Sequence, residues 1–436
     1  MRRIRFFDRE NDNESLPLDW RWVAAILATL FLNFHLFTGL GSHAMDAAGC
    51  FAVAILMPLL FFAGPAVLVH TTQRSILRLL EDSIGTMPTV AVRLCAVVFL
   101  SLWIAGLLAW PVFWAAKMSM PEPSLRSTAV GAIALMFLFH TAMQSTHTTA
   151  KLALFTNKLG IVILVAALIR ARDGWDAIPA NVEITSIFTP LQPLSWAMSN
   201  LAQYAAPFGL LTAQYASRMP SRRTVALTIL TGVTLPVFGV MLLSGFVAVA
   251  TRNSDLYQPS LSPNVGMALF AHTAASAAWS RGLLVAISAF GALRLGVWAL
   301  AKWSSLPSQG KLRWACEIVG AVAIAVLALW PFAEPVVALH GIAAKCLTLV
   351  GAVVTADCVM RNACGPAPRR FDPVGTIALV AGLGIALWLA EEIQRSQAQW
   401  WLHWLFPSYA VSFGATCIGR LVQRRASSQM NSGCLS

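Results

Sequence analysis

The chain has 436 residues, of which 57% are hydrophobic and only 11% charged, and its mean hydropathy is +0.67. A single water-soluble core of this length cannot hide so much apolar surface, so a soluble globular protein is excluded and the lipid bilayer is the expected solvent. The net charge of +12 does not point to nucleic acid, because Lys and Arg arrive in small groups between apolar runs and form no single patch.

A helix needs roughly 20 apolar residues to cross about 30 Å of hydrocarbon, and such stretches recur from Trp22 almost to the C-terminus. Residues 1–21 read as a basic cytoplasmic tail, too long and too charged for a compact signal peptide. Six spans follow in chain order, at 22–40, 47–69, 92–114, 128–143, 152–169 and 194–215. Six more are expected at 225–250, 283–303, 314–332, 336–360, 374–390 and 401–418, with a cytoplasmic tail at 421–436. The segment 264–279 is only moderately apolar and is expected to lie on the outer surface or to re-enter the membrane.

Counting Lys and Arg in alternate connections tests this layout, because cytoplasmic loops retain positive charge. Groups such as Arg2 to Arg9, Arg74 and Arg78, Arg222 and Arg223, Arg369 and Arg370, and Arg420 to Arg425 all fall on one side. Few fall on the other, among them Lys117, Arg126 and Arg252. Both termini are therefore expected inside, in a bacterial inner membrane, with an even number of spans. The eight Cys residues contain no CxxC pair and read as small buried hydrophobes.

The sixth span is the least apolar and holds Tyr204-Ala205-Ala206-Pro207-Phe208-Gly209. Pro207 lacks the N–H that closes a helical turn and Gly209 permits unusual dihedrals, so a break is expected there, with an ordinary Pro kink as the alternative. A helix broken at mid-membrane exposes N–H and C=O groups that can hold a solute, provided they line a cavity. Asn33 and His35 sit near the end of the first span. Arg294 lies mid-way along the eighth, where it either meets an anionic group or pairs structurally. Lys345 in the tenth raises the same question, with Asp46 and Asp357 as candidate partners. Trp103 and Trp110 share a face of the third span, suited either to stacking on a heterocycle or to packing. His140 and His147 can share a face but have no carboxylate nearby, and no phosphate loop, HExxH or other catalytic set occurs. Neither an enzyme nor a resident metal or cofactor is expected.

Four stretches carry a resemblance. They are Leu16 to Trp20, Gly39 to Ser42, the run PFGLLTAQYASRMPSRRTVALTILTGVTLPVFGVMLLSGFV from Pro207 to Val247, and Gly351 to Asp357 followed by Arg361. They resemble the nucleobase:cation symporters of the amino acid-polyamine-cation superfamily, which carry cytosine, purines, uracil, allantoin and hydantoins. In order, they match the lead into that family's first helix, the turn after it, its sixth helix with a "DYSRY" exit and Gly-rich seventh helix, and the "AD" ending of its tenth. Gln214 to Arg218 stands in the place of the exit, so its acidic residue is absent here.

The resemblance implies an all-α polytopic membrane protein of about 12 transmembrane helices: a leucine-transporter-like 5+5 inverted repeat plus two C-terminal helices. The repeats would be 22–169 and 194–360, the extra helices 374–418, and the whole transporter domain 22–420. It also implies a substrate site at the breaks of helices one and six. Trp103 matches an aromatic on helix three, a second aromatic falls at Tyr204 or Ala205, Pro207 and Gly209 form the break, and Arg294 lies at the helix-eight position. A polar Gln of the family is replaced by Leu107. Cation binding would use backbone oxygens near Ala25 and Ala28 with the Ser288 hydroxyl. The expected function is secondary transport of a small solute, first a nucleobase-like heterocycle, coupled to Na+ or H+. The alternatives are a permease for an amino acid or other small solute, and a transport-inactive relative acting as sensor or assembly partner.

Overall fold

The structure, a computed structural model, describes residues 19–32, 47–108, 146–170, 198, 201–242, 278–304, 311–328, 334–361, 370–396 and 404–433. The expected fourth span at 128–143 and nearly all of the segment 264–279 lie outside the described residues.

Helix α1 runs Trp20–Ala28, started by Asp19, whose carboxylate accepts the Arg21 N–H at 3.0 Å. Its nine residues rise about 14 Å, less than half of the hydrocarbon thickness. The chain then tightens into i→i−3 bonds, Leu30 N–H to Leu27 O and Phe31 N–H to Ala28 O, both 3.1 Å. Helix α2 is Ala47–Met57, a π turn at Pro58–Ala63, and Gly64–Thr72. Helix α3, Ile76–Ile84, was not expected. Ile76, Leu79, Leu80 and Ile84 are buried, and Ser75 caps it by accepting the Arg78 N–H at 3.2 Å. Nine amphipathic residues are too few to register as a span.

The remaining helices follow the hydropathy closely. They are α4 (Thr86–Leu107), α5 (Thr146–Arg170), α6 (Ala206–Leu211, continued as a 3-10 turn over Ala213–Arg218) and α7 (Arg222–Ile229, a π turn at Leu230–Thr234, and on to Leu242). After them come α8 (Ala278–Trp303), α9 (Lys311–Leu327), α10 (Glu334–Arg361), α11 (Pro373–Ser396) and α12 (Leu405–Gly433). Helix α12 runs well past the expected span end at 418. Six helices among the described residues are long and apolar enough to cross a membrane.

An internal two-fold relation, invisible in residue identity, emerges from the packing. Helix α1 packs on the π turn of α7, and α6 packs on the π turn of α2. Likewise α1–α5 is matched by α6–α10, and α4–α10 by α8–α5. The crossings are alike in detail. A Cβ at Gly232 of α7 would come within 2.8 Å of Ala24 O on α1, and a Cβ at Gly209 of α6 would overlap Phe61 O on α2. Both crossings need glycine because backbone meets backbone. Two units related in this way, with α11 and α12 added outside α10, are the inverted-repeat architecture.

One end of the bundle is tied by ions. Arg420 on α12 is 4% exposed and pairs with Asp357 on α10 and, at 3.0 Å, with Asp372 before α11. Its Nη2 donates to Ser83 O of α3 at 3.1 Å, and Ser83 Oγ donates to Asp357 at 3.0 Å. Asp357 therefore partners Arg420, not Lys345, which lies three turns away on the same helix. Asp46 falls outside the described residues.

Candidate functional site

The sixth span breaks at Ala205 (φ −116°, ψ −31°). Ala205 N–H still reaches Leu201 O at 2.8 Å, but Phe208 N–H turns to Ala205 O at 3.0 Å, three residues back. Pro207 has no N–H to give Gln203 O. The carbonyls of Gln203 and Tyr204 thus lose the donors a continuous helix supplies. Anchors hold the flanks: Thr348 Oγ1 of α10 donates to Ala202 O at 3.3 Å, and Trp303 Nε1 of α8 donates to Leu211 O at 3.1 Å. Gln214, where the acidic residue was absent, accepts the Ile76 N–H at 3.0 Å and so caps α3.

A file of rings lies against this break. Trp103 on α4 packs on Phe208 of α6 with centroids 4.7 Å apart. Phe208 meets Phe99 at 5.9 Å, Phe99 stacks on His340 of α10 at 4.9 Å and 24°, and His340 lies 5.9 Å from Tyr204. The other edge of Trp103 rests on α8, where a Cβ at Gly296 would come within 2.8 Å of its Cζ3. Trp103, Tyr204, Ala205, Pro207 and Gly209 are therefore brought to one neighbourhood, with Phe208 as the ring seated on Trp103. Trp110 falls outside the described residues.

Arg294 is 2% exposed and its Nε donates to Thr149 Oγ1 of α5 at 2.8 Å. Gly291, one turn earlier, also faces α5, since a Cβ there would overlap Thr156 Oγ1. Gly296 faces α4 instead. Arg294 thus sits in the α8–α5 seam, on a different side of α8 from the Trp103 contact.

The expected cation oxygens lie in the same seam, at the end of α1. Ala25 O accepts from Asn157 Nδ2 of α5 at 2.8 Å. Ala28 O accepts the N–H groups of Phe31 at 3.1 Å and Leu32 at 2.9 Å. The Thr29 and Thr156 hydroxyls are near, donating to Ile26 O at 2.6 Å and Leu152 O at 3.0 Å. Both carbonyls are already engaged by N–H donors, so a cation here would have to displace or share them. Ser288 lies on α8, but its side chain is outside the described residues. Among the described residues no group of three or more His, Cys, Asp or Glu side chains converges.

Phe99, Phe208, His340 and Asn157 were not singled out from the sequence. The first two had a signal: Phe99 lies four residues before Trp103, on the same helical face, and Phe208 is inside the break itself. His340 and Asn157 become visible only when α10 meets α4 and α5 meets α1.

No family model and no curated protein matches the sequence. Solved structures do resemble the chain. A Na+-coupled sialic acid symporter in its substrate-bound outward-open state gives a TM-score of 0.59 at 14% identity, over 92% of this chain and 88% of that one. Mhp1, a nucleobase-cation-symport-1 family transporter, closed with bromovinylhydantoin bound, gives 0.57 at 13%, over 95% and 94%. A manganese transporter of Eremococcus coleocola gives 0.53 at 12%, over 93% of each chain. At such identities the likeness speaks to fold alone: this is an all-α, multi-pass membrane protein with the leucine-transporter-like arrangement of two inverted five-helix repeats and two further helices.

Proposed function

We propose that the chain is a secondary active transporter that moves a small solute across the bacterial inner membrane by alternating access. The observation that carries this reading is the interrupted sixth helix, where the Phe208 N–H turns back to Ala205 O and Pro207 has none to give, beside a file of five rings. Flat aromatic faces beside a break in the helix suit a planar solute, so a nucleobase or related heterocycle is the first solute to test. The hydantoin bound by Mhp1 is a compound of that kind; the sialic acid and manganese neighbours keep other small solutes in the screen.

In this reading α1, α2, α6 and α7 rock as a bundle against a scaffold that includes α4 and α8. Trp103, Tyr204, Ala205 and Pro207 face the solute, and Gly209 lets α6 close on α2 behind them. Ala25, Ala28 and Ser288 mark the seat of a coupling ion, Na+ or H+, and Arg294, expected among the substrate residues, supplies a fixed positive charge that can stand in place of sodium. Both termini are cytoplasmic, the transporter domain is 22–420, and its repeats are 22–169 and 194–360. One observation favours a second reading, a transport-inactive relative acting as sensor or assembly partner: Phe208 occupies the face of Trp103 on which a solute would stack.

The test is a thermal-shift screen of the purified protein against heterocycles and amino acids in Na+ and in K+, followed by uptake into proteoliposomes of whatever binds. Selective stabilisation with gradient-driven uptake is the expected result. Binding without uptake selects the second reading, and a folded protein that no solute stabilises sinks the carrier assignment.

A further inference from the structure

Helix α10 carries a second feature, away from the ring file, where it packs on the start of α12. Lys345 is 8% exposed, and its ammonium lies 5.5 Å from the centroid of the Trp404 ring. Among the described residues no carboxylate lies within ion-pair distance of it and no hydrogen-bond acceptor meets it. Trp404 is 3% exposed, and its Nε1 is enclosed without an acceptor. Trp404 also directly precedes α12 (Leu405–Gly433). The first-turn N–H groups at Leu405 and Phe406 have no intrahelical partner, and Pro407 brings none to compete. Three kinds of donor are therefore neighbours, with no acceptor between them among the described residues: an ammonium, an indole N–H and the positive end of a 29-residue helix.

Depth narrows the ligand. The apolar span of α10 begins at Ala338 and that of α12 at Leu405, so Trp404 lies at the membrane edge. Lys345 is two turns further in, but its side chain folds back: the Nζ is 3.8 Å from where a Cβ of Gly341 would stand, and among the described residues nothing else lies within 4 Å of that point. The ammonium thus snorkels toward the edge, beside open space left by a glycine. An uncompensated ammonium at this depth is unfavourable, whereas lipid phosphates are abundant there.

We propose that Lys345, Trp404 and the first turn of α12 form an anion site for a phosphate-type oxyanion, either the phosphodiester of an anionic lipid or free phosphate. Lys345 Nζ and Trp404 Nε1 donate to its oxygens, and the Gly341 gap admits it.

The test measures the thermal midpoint of the full-length protein in nanodiscs. One arm replaces phosphatidylcholine by phosphatidylglycerol; the other adds inorganic phosphate against gluconate at constant ionic strength in phosphatidylcholine alone. A rise of several degrees in the first arm only assigns the site to lipid, and a rise in the second assigns it to free anion. Lys345→Met should abolish either rise. It should also equal or exceed wild type without anion, because it removes a buried charge. Trp404→Phe keeps the ring beneath the ammonium and removes the N–H, and should weaken the response severalfold; it carries the test if the Met variant does not fold. Lys302→Met, at an exposed lysine, should respond like wild type. A wild type indifferent to both anions, or a Lys345→Met response equal to its own, overturns the site.

Discussion

Replacing Arg420 by Met should destabilise the protein through charge, not volume. The guanidinium meets Asp357, Asp372, the Ser83 carbonyl and Gln423 Oε1, and both carboxylates are buried with it. Removing one member of a buried ion group costs about 3–5 kcal/mol, because the remaining charges lose the arginine that joins them. An unfolding entropy near 2.1 cal/mol/K per residue, spread over 436 residues, makes 1 kcal/mol worth about 1 °C. The expected loss is therefore about 3–5 °C in the midpoint, read by intrinsic fluorescence in detergent. The triple variant Arg420→Met, Asp357→Asn, Asp372→Asn should recover most of it. An amide at 372 can still accept the Gly375 N–H that the carboxylate now takes at 3.2 Å, so the α11 cap survives. A single variant as stable as wild type, or a triple variant no better than the single, would refute the reasoning.

His340→Phe retains the stack on Phe99 and removes the imidazole nitrogens, so the midpoint should hold within about 1 °C while a stabilising heterocycle binds roughly three- to tenfold more weakly; unchanged affinity would remove His340 from the solute site. Asn157→Ala leaves Ala25 O without its donor and should cost about 1–3 kcal/mol. NaCl should restore more of that loss than KCl, and equal midpoints in the two salts would show that no cation takes the vacated place. The Cys95 and Cys346 thiols are neighbours across α4 and α10. Copper phenanthroline should therefore link them, as detected by peptide mass spectrometry, and Cys95→Ser should abolish the link. Phe208→Ala should open the Trp103 face at a cost of about 3–5 kcal/mol and raise acrylamide quenching of tryptophan fluorescence; no change in quenching would place Trp103 elsewhere.

The sequence disclosed what depends on local chemistry. Long apolar runs declared most of the membrane helices and Pro207 declared the break, because both signals are written in consecutive residues, whereas Gly209 stays helical and serves the crossing on α2 instead. Helix α3 was hidden, since nine amphipathic residues resemble a loop. The repeat was hidden for a different reason. What the two halves share is backbone geometry, a π turn in α2 and in α7 with a glycine crossing on each, and Phe61 and Ala24 can fill equivalent roles without resembling each other. At the site, Trp103 and Tyr204 were legible as aromatics on the expected helices. Their actual neighbours, Phe208 and His340, follow from how α6 and α10 meet α4. Arg294 was legible as buried, but only the approach of α5 supplies Thr149.

The knot around Arg420 also bears on biogenesis. Its members enter the membrane in the order Ser83, Asp357, Asp372, Arg420, and the arginine leaves the ribosome last. Until then Asp357 and Asp372 lack the guanidinium that joins them, so a chain that stops before its final helix leaves this end of the bundle unlatched.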